Sequence, residues 1–172
     1  MHDRRTANLL GTAALAVTDL MLERVTEDTG IGASAAAALV VLAGSPGLSG
    51  TELGRRVGSS QPAAARMIDT LLRREFVERR TGRGREIAVR LTDRGRRAAA
   101  DILAARSDYL TQVLAPLDTS ERAILAALLD KLLTGLHSDI GNADLVCRLC
   151  DRRVCTTDAQ CPVREAERAQ PG

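Results

Sequence analysis

The chain has almost no aromatic residues: no tryptophan, one tyrosine (Tyr109) and one phenylalanine (Phe76). Its core must come from Leu, Val, Ile and Ala. That favours packed helices over a large sheet, because strands draw on aromatic and β-branched side chains. No segment approaches the roughly 18 consecutive apolar residues of a membrane span, so no membrane partner is expected. The opening residues MHDRRTANLL are followed by Asp19, Glu23 and Glu27 rather than by the unbroken apolar stretch of a signal peptide. A cytoplasmic location follows as the expectation, and with it a reducing setting for the cysteines. Cysteine is absent before Cys147, and Lys131 is the only lysine, so the positive charge is carried by arginine.

What is present is a charge asymmetry. The 172 residues suffice for one domain with a proper core. The net charge of +2 conceals a block, residues 48–97, with 13 arginines against 6 acids, while both flanks are mildly acidic. So concentrated a basic block points to a polyanionic partner, against the plainer reading of a solvated charged face.

Periodicity divides the chain into helices with one small β-hairpin. Residues 6–28 repeat apolar side chains at helical spacing (Leu9, Leu10, Ala13, Val17, Leu20) and end at Gly30 and Gly32. Residues 33–43 are apolar nearly all round, which predicts a buried helix. Ser49 and Glu52 have capping-box spacing and start a short helix over 49–57. After Gly58-Ser59-Ser60, Ser60 is placed to cap a helix running to about Glu75, with Pro62 tolerated in its first turn. Residues 76–81 and 86–91 read as strands, the second alternating Ile87, Val89 and Leu91, around a tip at Gly82-Arg83-Gly84-Arg85. A long helix follows from Thr92-Asp93 to about Leu114. A last one spans 120–138, opened by a second capping box at Asp118 and Glu121.

Two helices joined by a short glycine-containing turn, then a hairpin with a basic tip, form a winged helix-turn-helix pattern. The second helix must enter the major groove, so the residues at its start must be small or polar. Ser59, Ser60, Gln61, Pro62, Ala63, Ala64 and Ala65 meet that need. Gln61 is suited to a bidentate contact with adenine. Arg66 and Arg73 lie on the side expected to face bases and phosphates, and Arg83 and Arg85 on the wing are suited to the adjacent minor groove or its backbone. The expected partner is double-stranded DNA.

The run from Glu52 to Gly95 resembles the MarR group of transcriptional regulators. The resemblance rests on Leu53-Gly54, Gly58-Ser59-Ser60, Asp69-Thr70-Leu71, Val77-Glu78-Arg79, Arg83 to Arg85, and Val89-Arg90-Leu91-Thr92-Asp93-Arg94-Gly95. One departure is that the wing carries Gly82 and Gly84 where the group usually has an Asp beside the tip arginine. The resemblance implies a mainly α fold with a small hairpin wing in a MarR-like domain over 1–140. Its DNA-binding lobe is 48–92, and its dimerisation helices lie in 6–47 and 93–140. It also implies a homodimer on a near-palindromic operator, a regulator expected to be a repressor, and the possibility of a small-molecule effector. Apolar first and last helices agree with a dimer independently, because an exposed apolar patch of that size marks an interface.

Residues 141–172 form a cysteine-rich tail. Cys147, Cys150, Cys155 and Cys161 fall within 15 residues, spaced C-x2-C-x4-C-x5-C. Four thiolates so close suit a tetrahedral zinc ion or an iron–sulfur cluster. A metal-free thiol switch at Cys147 and Cys150 and an unstructured tail are the other readings. The tail has too little apolar surface for its own core, and both His2 and His137 are expected to be exposed. Two further functions compete with a DNA-binding regulator gated by metal or redox state: a thiol–disulfide oxidoreductase using Cys147 and Cys150, for which no βαβ setting exists, and a metal-stapled interaction module with no DNA role.

Overall fold

A computed structural model describes residues 2–27, 29–81, 87–157 and 159–169. In chain order its elements are α1 (His2–Glu27), α2 (Ala33–Gly44), β1 (Leu48–Ser49), α3 (Gly50–Arg56), α4 (Gln61–Arg73), β2 (Val77–Thr81), β3 (Ile87–Leu91), α5 (Asp93–Leu114), α6 (Thr119–Ile140), α7 (Ala143–Val146), α8 (Arg152–Cys155) and α9 (Pro162–Ala169). The mainly helical winged helix-turn-helix fold read from the sequence is the one observed.

α2 is the centre of the core. Every residue from Ala35 to Leu42 is buried, as a helix apolar all round requires. Around it pack α1, α3, α4, α5 and β3, bringing Leu53, Ile68, Leu71, Val89 and Ile102 onto it. The lone phenylalanine, Phe76, closes this core at 5% exposure. Arg94 lies 4.9 Å over its ring.

The helix ends follow local chemistry. Asp118 and Glu121 form the full capping box. At α3 the box is half made: Ser49 accepts from the Glu52 N–H, but the Glu52 carboxylate turns to Arg55 and Arg56 instead. Ser60 precedes α4 without capping it by its side chain, a correction to the expected role. α4 ends at Arg73. Beyond it Glu75 takes a left-handed φ of 58°, while the N–H groups of Glu75 and Phe76 donate to the Leu72 and Leu71 carbonyls. This is a Schellman ending, with Phe76 and Leu71 as its buried pair.

The sheet has three antiparallel strands in the order β1-β3-β2. Val77 pairs with Leu91 and Thr81 with Ile87. β1, absent from the sequence reading, adds Leu48 opposite Val89 and Ser49 opposite Ala88. The expected alternation of β3 fails at its outer end. Ile87 is 59% exposed and Ala88 is buried, because Ile87 lies where the strand pair leaves the body of the lobe.

Gly54 sets the distance between α3 and α4. A Cβ built there would sit 2.7 Å from the Ala64 Cβ, closer than two methyl groups can approach. Gly54→Ala should therefore destabilise the protein by about 1–3 kcal/mol through overpacking, and adding Ala64→Gly should return part of that loss. Denaturant unfolding of the two single variants and the double variant measures this coupling. Additive losses would show that the two helices do not depend on this contact.

Candidate nucleic-acid interface and cysteine site

The start of α4 is presented outward by the turn before it. Gly58 has a φ of 70°, a left-handed conformation that glycine adopts without steric cost, and the Ser59 N–H donates to the Gly54 carbonyl. Gln61, Pro62, Ala65 and Arg66 are exposed, as is Ser60, while Ser59 is half-buried. Arg73 is exposed one face further on and donates to the Thr70 hydroxyl at 3.0 Å. Ala64 does not belong to this surface. It is 3% exposed and fills the space left by Gly54, so its expected base contact is corrected to a packing contact. Ala65, one residue on, takes the outward position. Arg79 on β2 reaches Asp69 on α4 at 3.1 Å and ties the wing to the second helix. Arg83 and Arg85 lie outside the described residues.

The cysteines lie on the other side of the turn. Cys147 ends α7, Cys155 ends α8 and Cys161 precedes α9. All four cysteines are free thiols, and all line one cavity of about 460 Å³ together with Arg152 and Arg164. The Cys147 thiol adjoins that of Cys161, and the Cys155 thiol adjoins those of Cys150 and Cys161. Burial and then these neighbouring thiols push Cys147 up to about 11 and Cys155 up to about 12, and Cys150 is raised by burial and then by Cys147, against a lowering bond with Cys155. Protonated thiols are weak nucleophiles. Among the described residues no group of three or more His, Cys, Asp or Glu side chains is drawn close enough to hold a metal ion. The thiols thus share a cavity without forming a finished ligand shell.

The tail is folded, and it borrows the core it lacks. Leu149 inserts into the main core, while Ala143, Cys147 and Val163 form a small cluster under Leu133 of α6. His137, expected on the surface, is 1% exposed with both ring nitrogens unpaired. It lies one helical turn beyond Leu133 on the side that α6 turns toward the tail.

One carboxylate joins the tail to the DNA-binding lobe, and no sequence signal marks it. Asp144 on α7 is buried, with Arg55 at 3.0 Å and Arg56 at 3.5 Å from α3, Arg152 at 3.0 Å from α8 and Arg164 from α9. Burial raises its pKa, but Arg164, Arg56 and Arg152 more than offset this and hold the carboxyl below the usual aspartate range. Glu52 beside it is lowered to about 2 by its bonds to Arg55 and Arg56. Next in the chain, Leu145 lies against the turn: a Cβ built on Gly58 would meet its Cδ1 at 2.7 Å.

The fold and the exposed α4 define a winged helix-turn-helix protein. Residues 29–85 match the family model described as MarR family, and the four cysteines lie in the tail beyond the matched segment. A comparison with curated protein sequences gave no match. Among solved structures, the chain is similar to MepR, a transcription regulator of the Staphylococcus aureus multidrug efflux pump MepA, at 16% identity and a TM-score of 0.68, covering 76% of this chain and 97% of that one. That likeness is one of fold. A probable transcriptional regulator from Pseudomonas aeruginosa is 27% identical, with a TM-score of 0.58 over 77% of this chain and 99% of the other. The Mycobacterium tuberculosis MarR family protein RV2887, in complex with salicylic acid, is 27% identical, with a TM-score of 0.55 over 72% of this chain and 95% of its own. MepR and the Pseudomonas aeruginosa protein are both described as transcription regulators. No helix among the described residues is long and apolar enough to cross a membrane.

Asp144→Asn keeps the side-chain shape but removes the carboxylate shared by four arginines, leaving Glu52 beside Arg55 and Arg56 and Glu167 beside Arg164. Breaking a fully buried pair costs about 3–5 kcal/mol. These arginines are 20–53% exposed, so the expected loss is about 1–3 kcal/mol after solvent screening. Because the folded carboxyl is more acidic than an unfolded aspartate, its contribution is complete above about pH 4 and fades as the pH falls further. Denaturant unfolding at about pH 5 and pH 3 should show the deficit of Asp144→Asn shrinking at the lower pH. A pH-independent deficit would count against this account of the cluster.

Proposed function

We propose that the chain is a homodimeric transcription regulator, a repressor acting in the cytoplasm, that binds a near-palindromic site on double-stranded DNA. The observation that carries this reading is the exposed first turns of α4, with Gln61, Pro62, Ala65 and Arg66 outermost on a block where arginines outnumber acids. Ser59, Ser60 and Gln61 are assigned to base edges, Arg66 and Arg73 to bases and phosphates, and Arg83 and Arg85 to the minor groove beside them. The second protomer is assigned to the apolar faces of α1 and α6. Leu9, Leu10, Leu20, Leu128, Leu129, Leu132 and Leu136 are each more than 40% exposed, a surface that marks an interface, whereas Val17 and Leu125 are already half-buried within one chain. A small effector, of the kind named for RV2887, is assigned to the cleft of about 290 Å³ between α2, α5 and the cysteine loop, where Arg96 and Arg152 face an apolar wall.

Cys147, Cys150, Cys155 and Cys161 are assigned as thiolate ligands of one zinc ion, with an iron–sulfur cluster as the alternative. Four free thiols around one cavity support this, and Arg152 and Arg164 stand where a four-thiolate site needs positive charge.

Gln61→Ala should alter sequence preference, by about 1–3 kcal/mol at one base pair. Arg66→Ala should weaken binding to all duplexes and lower the slope of log affinity against log salt by about 1. Selection from a random duplex library, followed by anisotropy titrations at several salt concentrations, separates the two. Wild-type behaviour in both variants would remove α4 from the interface. Leu129→Asp should give monomer or aggregate in sedimentation, since it places a charge in the apolar seam at a cost of several kcal/mol. A stable unmutated monomer at micromolar concentration would exclude the dimer. Cys150→Ser should lose the metal while remaining a dimer. Metal analysis of anaerobically purified protein reads this directly, and visible absorption distinguishes a cluster from zinc.

A further inference from the structure

The four cysteines lie on the tail, yet the residues between and beside them bind the DNA-reading lobe. Arg152 and Arg164 line the cysteine cavity, and the same two side chains hold Asp144. Asp144 in turn takes Arg55 and Arg56 from α3, the helix that Gly54 locks against α4. Two residues, Leu145 and Val146, separate Asp144 from Cys147, and Leu145 rests on Gly58 at the helix-turn-helix bend. The path from thiols to recognition helix is therefore a short chain of direct contacts, and it does not pass through the dimerisation helices.

The tail's own cohesion is slight. Its buried cluster consists of Ala143, Cys147 and Val163, with Cys150 and Cys161 among the partly buried residues packed on it. Cysteines are thus a large share of what holds α7, α8 and α9 together. Arg152 and Arg164, which line the thiol cavity, are also the tail's two partners of Asp144. Whatever parts these two arginines from Asp144 takes away half of that carboxylate's counter-charge and leaves Leu145 poorly held.

We propose that Asp144 and Leu145 are positioning residues for DNA binding, a latch through which the metal state of the cysteine site fixes α3 and the turn before α4. This rests on the reading of the cysteines as a metal site. With the metal bound, the latch is held closed and the helix-turn-helix is fixed in the arrangement seen here, with the outer face of α4 free. With the metal removed, α7 lifts, Arg55 and Arg56 keep Glu52 on their own helix but lose their tie to the tail, and the turn at Gly58 loosens. DNA affinity falls as a result, although no cysteine approaches the DNA-reading face. A coupling of about tenfold is within the ordinary range for two sites on one protein.

The test is amide hydrogen exchange on the full-length dimer, loaded with zinc and then stripped by chelator under reductant. The wild type, Asp144→Asn, Leu145→Ala and Asp144→Glu are compared, with zinc content measured for each. In the wild type, stripping should speed exchange about tenfold in Gly50–Arg56 and Val57–Ser60 as well as in the tail. Asp144→Asn and Leu145→Ala should keep their zinc but already exchange fast in α3 and the turn, with no further change on stripping. Asp144→Glu should restore part of the response. If stripping the wild type loosens only α7–α9, the latch is refuted and the cysteines are a local staple. If Asp144→Asn responds to stripping as the wild type does, the role of Asp144 is refuted. A wild type that takes up no zinc or iron overturns the metal reading itself, and its exchange then reads as that of the unliganded chain.

Discussion

The structure depends on one buried carboxylate. Asp144 is the point where α3 of the DNA-binding lobe and α8 and α9 of the tail meet. Glu52 and Glu167 pair with three of its arginine partners on their own helices, and Asp144 alone joins all four. A tail of about thirty residues that cannot enclose a core of its own is held by this charge cluster, by Leu149 in the main core and by contact between α6 and α9. A carboxylate among several arginines gains more than any single surface pair, because each partner is already restrained by its neighbours.

The DNA-reading lobe rests on different physics. α2 is a short apolar rod buried along most of its length, and the helix-turn-helix is clamped on it by close helix approach and not by large side chains. Gly54 and Ala64 permit that approach, and Phe76, the one large aromatic in the core, seals the far end. Small residues on the inner face let α4 sit low against α3 while Gln61, Ala65 and Arg66 remain outside. A scarcity of aromatics is thus matched by tight backbone spacing.

Much of this was legible in the sequence. The helices showed through their periodicity, the turn through Gly58-Ser59-Ser60, and the box at Asp118 and Glu121 formed as its spacing implied. What escaped was tertiary. Ala64 looked like its neighbours in a run of three alanines, and only the packing of Gly54 shows that it faces inward. β1 is two residues long, too short for any alternation to register. Ser60 had the chemistry of a cap but its side chain does not serve as one. The tail's order was invisible because its partners are remote: Asp144 reaches Arg55 across 89 positions of chain. Leu149, an apolar residue between two cysteines, was the one local sign that this loop meets the core.

The proposed latch would make the outer face of α4 and the cysteine lobe parts of one device. Fluorescence-anisotropy titration of a duplex enriched from a random library, with zinc-loaded and zinc-stripped wild-type protein at the same salt concentration, tests this most directly. The account predicts saturation at two protomers per duplex and an affinity about tenfold higher for the loaded protein. Equal affinity in the two states would contradict the coupling, and failure to enrich any duplex would contradict the DNA-binding reading on which it stands.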